Sequence, residues 1–208
     1  MSTVDLSIPI SDEEVRALHV GDTVRLSGVM VTGRDTAHKY MIENFIRTDE
    51  VPESEQPLHE ELKRLLRESV IYHCGPVVRQ RGDGAWEFVA AGPTTSIREE
   101  VYEPEVIEYF GLRGVIGKGG MGPNTLRACQ EYGAAYFHAV GGAASLIAAA
   151  VKEVVTVHKK DAFGVPEAFW VIRVEDFPVV VTMDTHGRSI HDDVEAASQA
   201  ALERLTVG

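Results

Sequence analysis

Apolar and polar positions alternate from Val4 to Ile10, the pattern of a strand with one covered face. Ser11 followed by Asp12, Glu13 and Glu14 reads as a cap and an acidic first turn, which predicts a short helix to Leu18. Gly21-Asp22 leads into a strand over Thr23 to Met30, carried by Val24, Leu26 and the apolar residues after them. This alternation resembles the opening of a small barrel, and the N-terminal strands are expected to form a small sheet of their own against the main body.

Beyond Thr32-Gly33-Arg34-Asp35 the period lengthens. Ala37 to Ile46 predicts a helix, Thr48 to Gln56 an acidic surface loop, and Leu58 to Arg67 a helix whose apolar face is Leu58, Leu62, Leu65 and Leu66. Val70 to Cys74 is a buried strand ending at Gly75-Pro76. Trp86 to Ala91 is another, entered through the Gly82-Asp83-Gly84 turn and delivered to Gly92-Pro93. A helix over Val101 to Tyr109, a strand over Gly114 to Gly117, a helix over Asn124 to Tyr132 and a strand over Ala134 to Val140 follow. An alanine-rich helix is expected from Ala143 to Val151, then strands over Ala168 to Val174 and Val179 to Asp184 with Phe177-Pro178 between them. A terminal helix is expected from Asp192 to Leu205. There is no internal repeat and no low-complexity linker, so residues 1–208 are read as one mixed α/β domain.

With 44% hydrophobic residues the chain can build a core, and its formal net charge of -12 repels nucleic acid and anionic membrane alike. A small anionic ligand would therefore need local cations, for which Arg34, Arg98 and Lys118 are the candidates. Two cysteines, Cys74 and Cys129, cannot ligate a four-cysteine cluster, and both lie in apolar surroundings that suit packing. The opening Met1-Ser2-Thr3-Val4-Asp5 has no basic leader, and the longest apolar run, Ala143 to Val151, is too short to span a bilayer. A soluble cytoplasmic protein with free thiols is expected.

Three polar segments carry the candidate chemistry. Gly92-Pro93-Thr94-Thr95-Ser96-Ile97-Arg98 reads as a turn and a helix start, with Thr94 and Arg98 four apart on one face and free amides able to hold an anion. A capped surface helix has the same look. Gly33-Arg34-Asp35-Thr36-Ala37-His38-Lys39 places Arg34 at a strand–helix switch, where it suits a bidentate carboxylate contact or a surface ion pair; Asp35 is a candidate to cap the helix or to hold Arg34. Gly117-Lys118-Gly119-Gly120-Met121-Gly122-Pro123 sets a mobile cation beside a possible anion nest, or is a plain flexible loop; it is not a phosphate-binding Walker loop. His138 suits a ligand contact or a core hydrogen bond, and Asp184-Thr185-His186-Gly187 reads as a turn rather than a metal site. GxSxG, HExxH and CxxC patterns are absent.

The three segments, in this order, resemble the β subunit of two-subunit class I fumarases and L(+)-tartrate dehydratases, which is also the C-terminal domain of single-chain class I fumarases. The resemblance runs from His19-Val20-Gly21-Asp22 to His186. It implies a swivelling β/β/α fold, three-layered with mixed sheets, and an α subunit that supplies three cysteines to an oxygen-sensitive 4Fe–4S cluster. It also implies a dimer of such αβ pairs acting on a small dicarboxylate. By the same resemblance Arg34, Arg98 and Lys118 engage the substrate and Thr94 is the catalytic base, working with an aspartate from the α part. A threonine hydroxyl is a weak base, so neighbouring charges must favour its anion. Fumarate hydration to (S)-malate is the first expectation and dehydration of L(+)-tartrate the second. A non-catalytic dicarboxylate-binding or assembly subunit is the third. His138 and Ser96 are the candidates for touching the second hydroxyl of tartrate.

Overall fold

A computed structural model describes residues 3–206; Met1 and Ser2, where the leader-free opening was read, and Val207 and Gly208 lie outside the described residues. Strand β1 (Thr3–Ser7) is followed by helix α1 (Asp12–Arg16) and strand β2 (Thr23–Thr32). Ser11 caps α1 reciprocally with Glu14, as its spacing predicts. Helix α2 (Asp35–Met41) continues into a π-helical turn at Ile42–Ile46, and α3 spans Gln56–Leu66. Three strands follow, β3 (Val70–Tyr72), β4 (Val77–Gln80) and β5 (Trp86–Ala90), then a 3-10 helix at Ser96–Val101 and α4 (Glu103–Phe110). The chain continues through β6 (Gly114–Gly117), α5 (Pro123–Tyr132), β7 (Ala135–His138) and α6 (Ala144–Ala148). It ends with β8 (Val151–His158), α7 (Lys160–Phe163), β9 (Phe169–Met183) and α8 (Ile190–Thr206).

The main sheet has seven strands in the order β1-β2-β3-β6-β7-β9-β8, with β2 also paired to β9. Strands β3, β6 and β7 follow β2 in parallel, and β9 runs antiparallel to both β7 and β2, so the pairing closes on itself. Strand β2 makes this possible by its length. Thr23–Ser27 pair with β1, Val31 and Thr32 pair with β3, and β9 takes the other edge. The expected separate N-terminal sheet is therefore not formed; β1 and β2 belong to the main one. A second sheet is the hairpin of β4 and β5, closed by a turn in which Gly84 has φ of +87°. Strand β4 was not expected, because its residues are largely exposed and show no alternation.

Two cores lie on opposite faces of the sheet. Val70, Tyr72, Ile116 and Phe137 point into one with Leu26 and Trp170. Ile71, Val115 and Tyr136 point into the other, which α2, α3, α4 and α5 fill with Met41, Leu62, Val106, Ile107 and Cys129. Strands covered on both faces read as continuous apolar runs, as β3 and β6 do. The result is the layered mixed α/β fold that was expected.

Two expectations on the C-terminal half are corrected. The alanine-rich run gives helix only over Ala144–Ala148, because Val151 begins a strand that β9 pairs along its length. The two strands expected beyond Ala168 are one, bent at Asp176 (φ +50°) rather than broken at Phe177-Pro178. No helix among the described residues is long and apolar enough to cross a membrane.

Candidate functional site

The candidate residues collect at the C-terminal ends of the parallel strands, where open α/β sheets place their ligand sites. Arg34 directly follows β2 and its Gly33, whose N–H donates to the Tyr72 carbonyl of β3. The Arg34 side chain crosses Gly75, where a Cβ would stand 2.5 Å from Nη1 and 3.1 Å from Cδ. Nη1 lies 3.2 Å from Glu167 Oε1, while Nε is buried without a hydrogen-bond partner. Glu167 Oε2 accepts the N–H of Thr36 at 3.0 Å. So Glu167, not Asp35, holds Arg34 and caps the first turn of α2. Glu167 comes from the far end of the chain, and no local pattern announces it.

Thr94 does not open a helix. Pro93 bridges to Cys74, the Thr94 N–H donates to the His73 carbonyl at 2.7 Å, and the Thr94 carbonyl accepts from Lys118 N at 3.2 Å. Ser96 N in turn donates to the Lys118 carbonyl at 3.1 Å. The segment is a short strand-like rung laid across the ends of β3 and β6, and the 3-10 helix starts only at Ser96 with no side-chain cap. The expected helical face of Thr94 and Arg98 is replaced by a stronger arrangement for Thr94 and Lys118, whose backbones are directly bonded. Among the described residues neither the Thr94 hydroxyl nor the Lys118 ammonium has a protein partner. Arg98 is exposed on the 3-10 helix and no contact ties it to the other three.

The glycine-rich loop after Lys118 is not an empty anion nest. Gly122 N, Asn124 N and Thr125 N all donate to the Glu100 carboxylate, at 2.8, 2.9 and 3.2 Å, and Thr125 Oγ1 adds a fourth bond at 2.6 Å. The chain supplies its own anion to the start of α5. A groove between α4 and α5 is lined by Glu100, Glu105, Glu108 and Glu131 and would repel a dicarboxylate.

Beneath the three segments lies a fully buried polar cluster. His38 Nδ1 is 2.8 Å from the Arg34 carbonyl, and its Nε2 is 3.0 Å from Glu103 Oε2, an ion-pair contact that is poorly aligned as a hydrogen bond. His73 Nε2 is 3.0 Å from the same oxygen, and its Nδ1 is 2.8 Å from Ser96 Oγ, which also accepts from Tyr136 Oη at 2.9 Å. Burial alone would raise the Glu103 carboxyl, but His38 and His73 outweigh it and hold the group down at about 2. Burial opposes charge on His38, and Glu103 overrides it, raising the imidazole above its ordinary value. Glu99, buried beside them with both oxygens unpaired, is raised by burial. His38, His73 and Glu103 are the one group of three metal-ligating side chains close enough to share an ion among the described residues.

Ser96 is committed to His73 and Tyr136, so it does not face a ligand as expected. His138 ends β7 in register with Gly117, its Nδ1 buried without a partner and its basicity lowered by burial. Asp184 accepts the N–H groups of His186, Arg188 and Val20, which is the turn that was read. Cys74 and Cys129 are buried free thiols; burial pushes Cys74 up to about 12 and Cys129 up as well. Thiols held protonated in this way do not fit a metal cluster. Sequence reading missed Glu100, Glu103, His73, Tyr136 and Glu167, since each acts through a partner distant along the chain.

Fold and site together define a layered mixed α/β domain with Arg34, Thr94 and Lys118 at its strand ends. A family profile described as the fumarase C-terminus matches residues 1–194. A putative class I fumarate hydratase of Geobacillus stearothermophilus is 45% identical over 203 residues, 98% of this chain but 36% of that protein. The L(+)-tartrate dehydratase β subunit of Escherichia coli K12 is 40% identical over 186 residues, 89% of this chain and 85% of that subunit. A putative L(+)-tartrate dehydratase β subunit of Methanocaldococcus jannaschii is 38% identical over 197 residues, 94% and 95% of the two chains. The chain belongs to the fumarase C-terminus family and is a β-subunit-like domain of the fumarase and tartrate dehydratase hydro-lyases.

Proposed function

We propose that this chain forms the substrate-binding half of a hydro-lyase that removes water from L(+)-tartrate to give oxaloacetate, together with a cluster-bearing α subunit. The observation that carries the reading is the backbone rung joining Thr94 to Lys118, with Arg34 on the neighbouring strand end. In this reading a hydroxyl and two cations serve one site at the strand ends. The tartrate reading is preferred to fumarate because the tartrate dehydratase subunits match over most of both chains, whereas the fumarate hydratase has most of its length outside the match. The fumarate reading, with (S)-malate as product, is favoured by the higher identity to that protein, 45% against 40%.

In this proposal Arg34 and Arg98 bind the two carboxylates and stabilise the charge that develops as the C–H proton leaves. Thr94 takes that proton, its oxyanion favoured by the Lys118 ammonium. The departing hydroxide and the proton taken by Thr94 together make up the water lost, and the enol of oxaloacetate tautomerises to the ketone. The iron–sulfur cluster of the partner would supply a Lewis acid for the hydroxyl. Exposed Ile97 on the 3-10 helix, Val140 just after β7 and Leu146 on α6 support this face being covered by a partner.

Side-by-side kcat/KM for L(+)-tartrate, fumarate and (S)-malate on the anaerobically assembled complex tests this. A higher value for tartrate is expected. A clear preference for fumarate and malate would move the assignment to the second reading. Dicarboxylate binding without any turnover would leave a non-catalytic binding subunit.

A further inference from the structure

Nothing in the proposed chemistry uses His38, His73, Glu103 or Tyr136, yet all four are fully buried polar groups directly under it. Their hydrogen-bond directions are fixed by what lies at each end. The Arg34 carbonyl only accepts, so His38 Nδ1 carries a proton, and its Nε2 stands 3.0 Å from the Glu103 carboxylate as an ion-pair contact. That contact favours the charged, doubly protonated ring of His38. At the other end Tyr136 donates to Ser96 Oγ, so the Ser96 hydroxyl proton goes to His73 Nδ1, and His73 Nε2–H goes to Glu103. Besides the two histidines, the titratable groups facing Glu103 are Glu99, Cys129 and Tyr136.

We propose that this chain of hydrogen bonds and one ion pair, from the Arg34 carbonyl through His38, Glu103 and His73 to Ser96, which is bonded to Tyr136 and to the Lys118 backbone, is the positioning device that holds the three substrate-side segments in register. Each link is attached to a segment that carries a site residue. His38 holds the backbone of Arg34, and the carbonyl of His73 holds the N–H of Thr94. Ser96 holds the backbone of Lys118. Hydrogen bonds and an ion pair in a low dielectric are stiff, and breaking one leaves further buried groups unpaired. Gly117 leaves room for it: a Cβ there would collide with Ser96 Oγ and stand 2.8 Å from Tyr136 Oη. The inference rests on the proposed function for its kinetic arm only.

The experiment combines side-chain nitrogen NMR of the full-length chain with kinetics of the assembled complex. In the wild-type chain His38 is expected to show protons on both ring nitrogens above pH 7, and Glu103→Gln to remove one of them. Tyr136→Phe, a mild change at the far end, is expected to keep the fold by circular dichroism. It should lower kcat/KM about 10²-fold through kcat as well as KM, as a displacement of about 1 Å would. Ser96→Ala should behave alike, and Ser96→Thr should recover part of the loss. A singly protonated His38 in the wild type overturns the proposal, as does stoichiometric metal in the purified chain, which would make the two histidines and Glu103 its ligands. Tyr136→Phe and Glu103→Gln both within twofold of wild type would overturn it too. If the wild-type complex turns over no dicarboxylate, the functional reading fails, and the NMR arm still decides whether the network exists.

Discussion

Gly75 and Arg34 are packed so that a Cβ on Gly75 would stand 2.5 Å from a guanidinium nitrogen of Arg34 and 3.0 Å from the Pro166 carbonyl. The backbone at Pro166 cannot give way cheaply, so the arginine is the part that moves. Gly75→Ala is expected to raise KM for the dicarboxylate more than it lowers melting temperature, with an overpacking cost of about 1–3 kcal/mol. Steady-state kinetics and thermal unfolding of the same preparation check this. An unchanged KM would mean that Arg34 does not bind substrate in this pose.

Thr94 is held by its backbone, through the His73 carbonyl and the Lys118 N–H. Its side chain can therefore be changed without loosening the rung. Thr94→Ala is expected to lower kcat about 10²–10⁴-fold, the range for removal of a general base. Thr94→Ser should retain much of the rate. Equal losses in both variants would point to packing of the methyl group instead of proton transfer.

Arg34→Lys should weaken substrate binding although the charge stays, since an ammonium has no planar fork and cannot span to Glu167 while holding a carboxylate. Glu167→Gln is the companion test. It should free the guanidinium and lower the melting temperature slightly, because the Thr36 N–H keeps an acceptor. Isothermal titration with the dicarboxylate reads the first effect, and calorimetric unfolding the second.

The His38–Glu103 pair makes stability depend on pH in two windows. His38 is raised above its ordinary 6.5, so the folded chain holds that proton more tightly; its stabilisation is complete below 6.5 and is lost as pH rises through the raised value. Glu103 is held at about 2 against an ordinary 4.5, so its stabilisation is complete above 4.5 and is lost as pH falls toward 2. Both limbs describe one ion pair, counted once. Melting temperature plotted against pH should therefore show this pair's contribution as a plateau between the two windows. Glu103→Gln should flatten both limbs, and a variant with unchanged limbs would assign the dependence to other groups.

Much of the fold was legible because the strands are covered on both faces. Val70 to Cys74, Gly114 to Gly117 and Ala134 to Val140 are continuous apolar runs with glycine punctuation, a local signal that survives any tertiary arrangement. The Ser11–Glu14 capping box was legible for the same reason. Val77 to Gln80 and Val151 to His158 were not: the first is largely exposed, the second is only partly buried and follows an alanine-rich run, and both owe their strand geometry to pairing with β5 and β9. The alanine-rich run before Val151 has high helix propensity, and sheet pairing overrode its last residues.

By itself the sequence determined which residues carry charge and hydroxyls, in which order, and that two cysteines are too few to ligate a four-cysteine cluster. It placed Arg34, Thr94 and Lys118 at strand ends, because glycine turns mark those ends locally. Only the tertiary structure decided that Thr94 and Lys118 share a backbone rung, that Glu100 fills the glycine loop, and that Glu167 holds Arg34. The same holds for Glu103, which meets two histidines from different segments in a site closed to water. Hydrogen bonds and ion pairs between distant segments have no period and no spacing rule. They exist once the sheet has brought the segments within about 3 Å, the reach of a hydrogen bond, and burial has made an unpaired group costly.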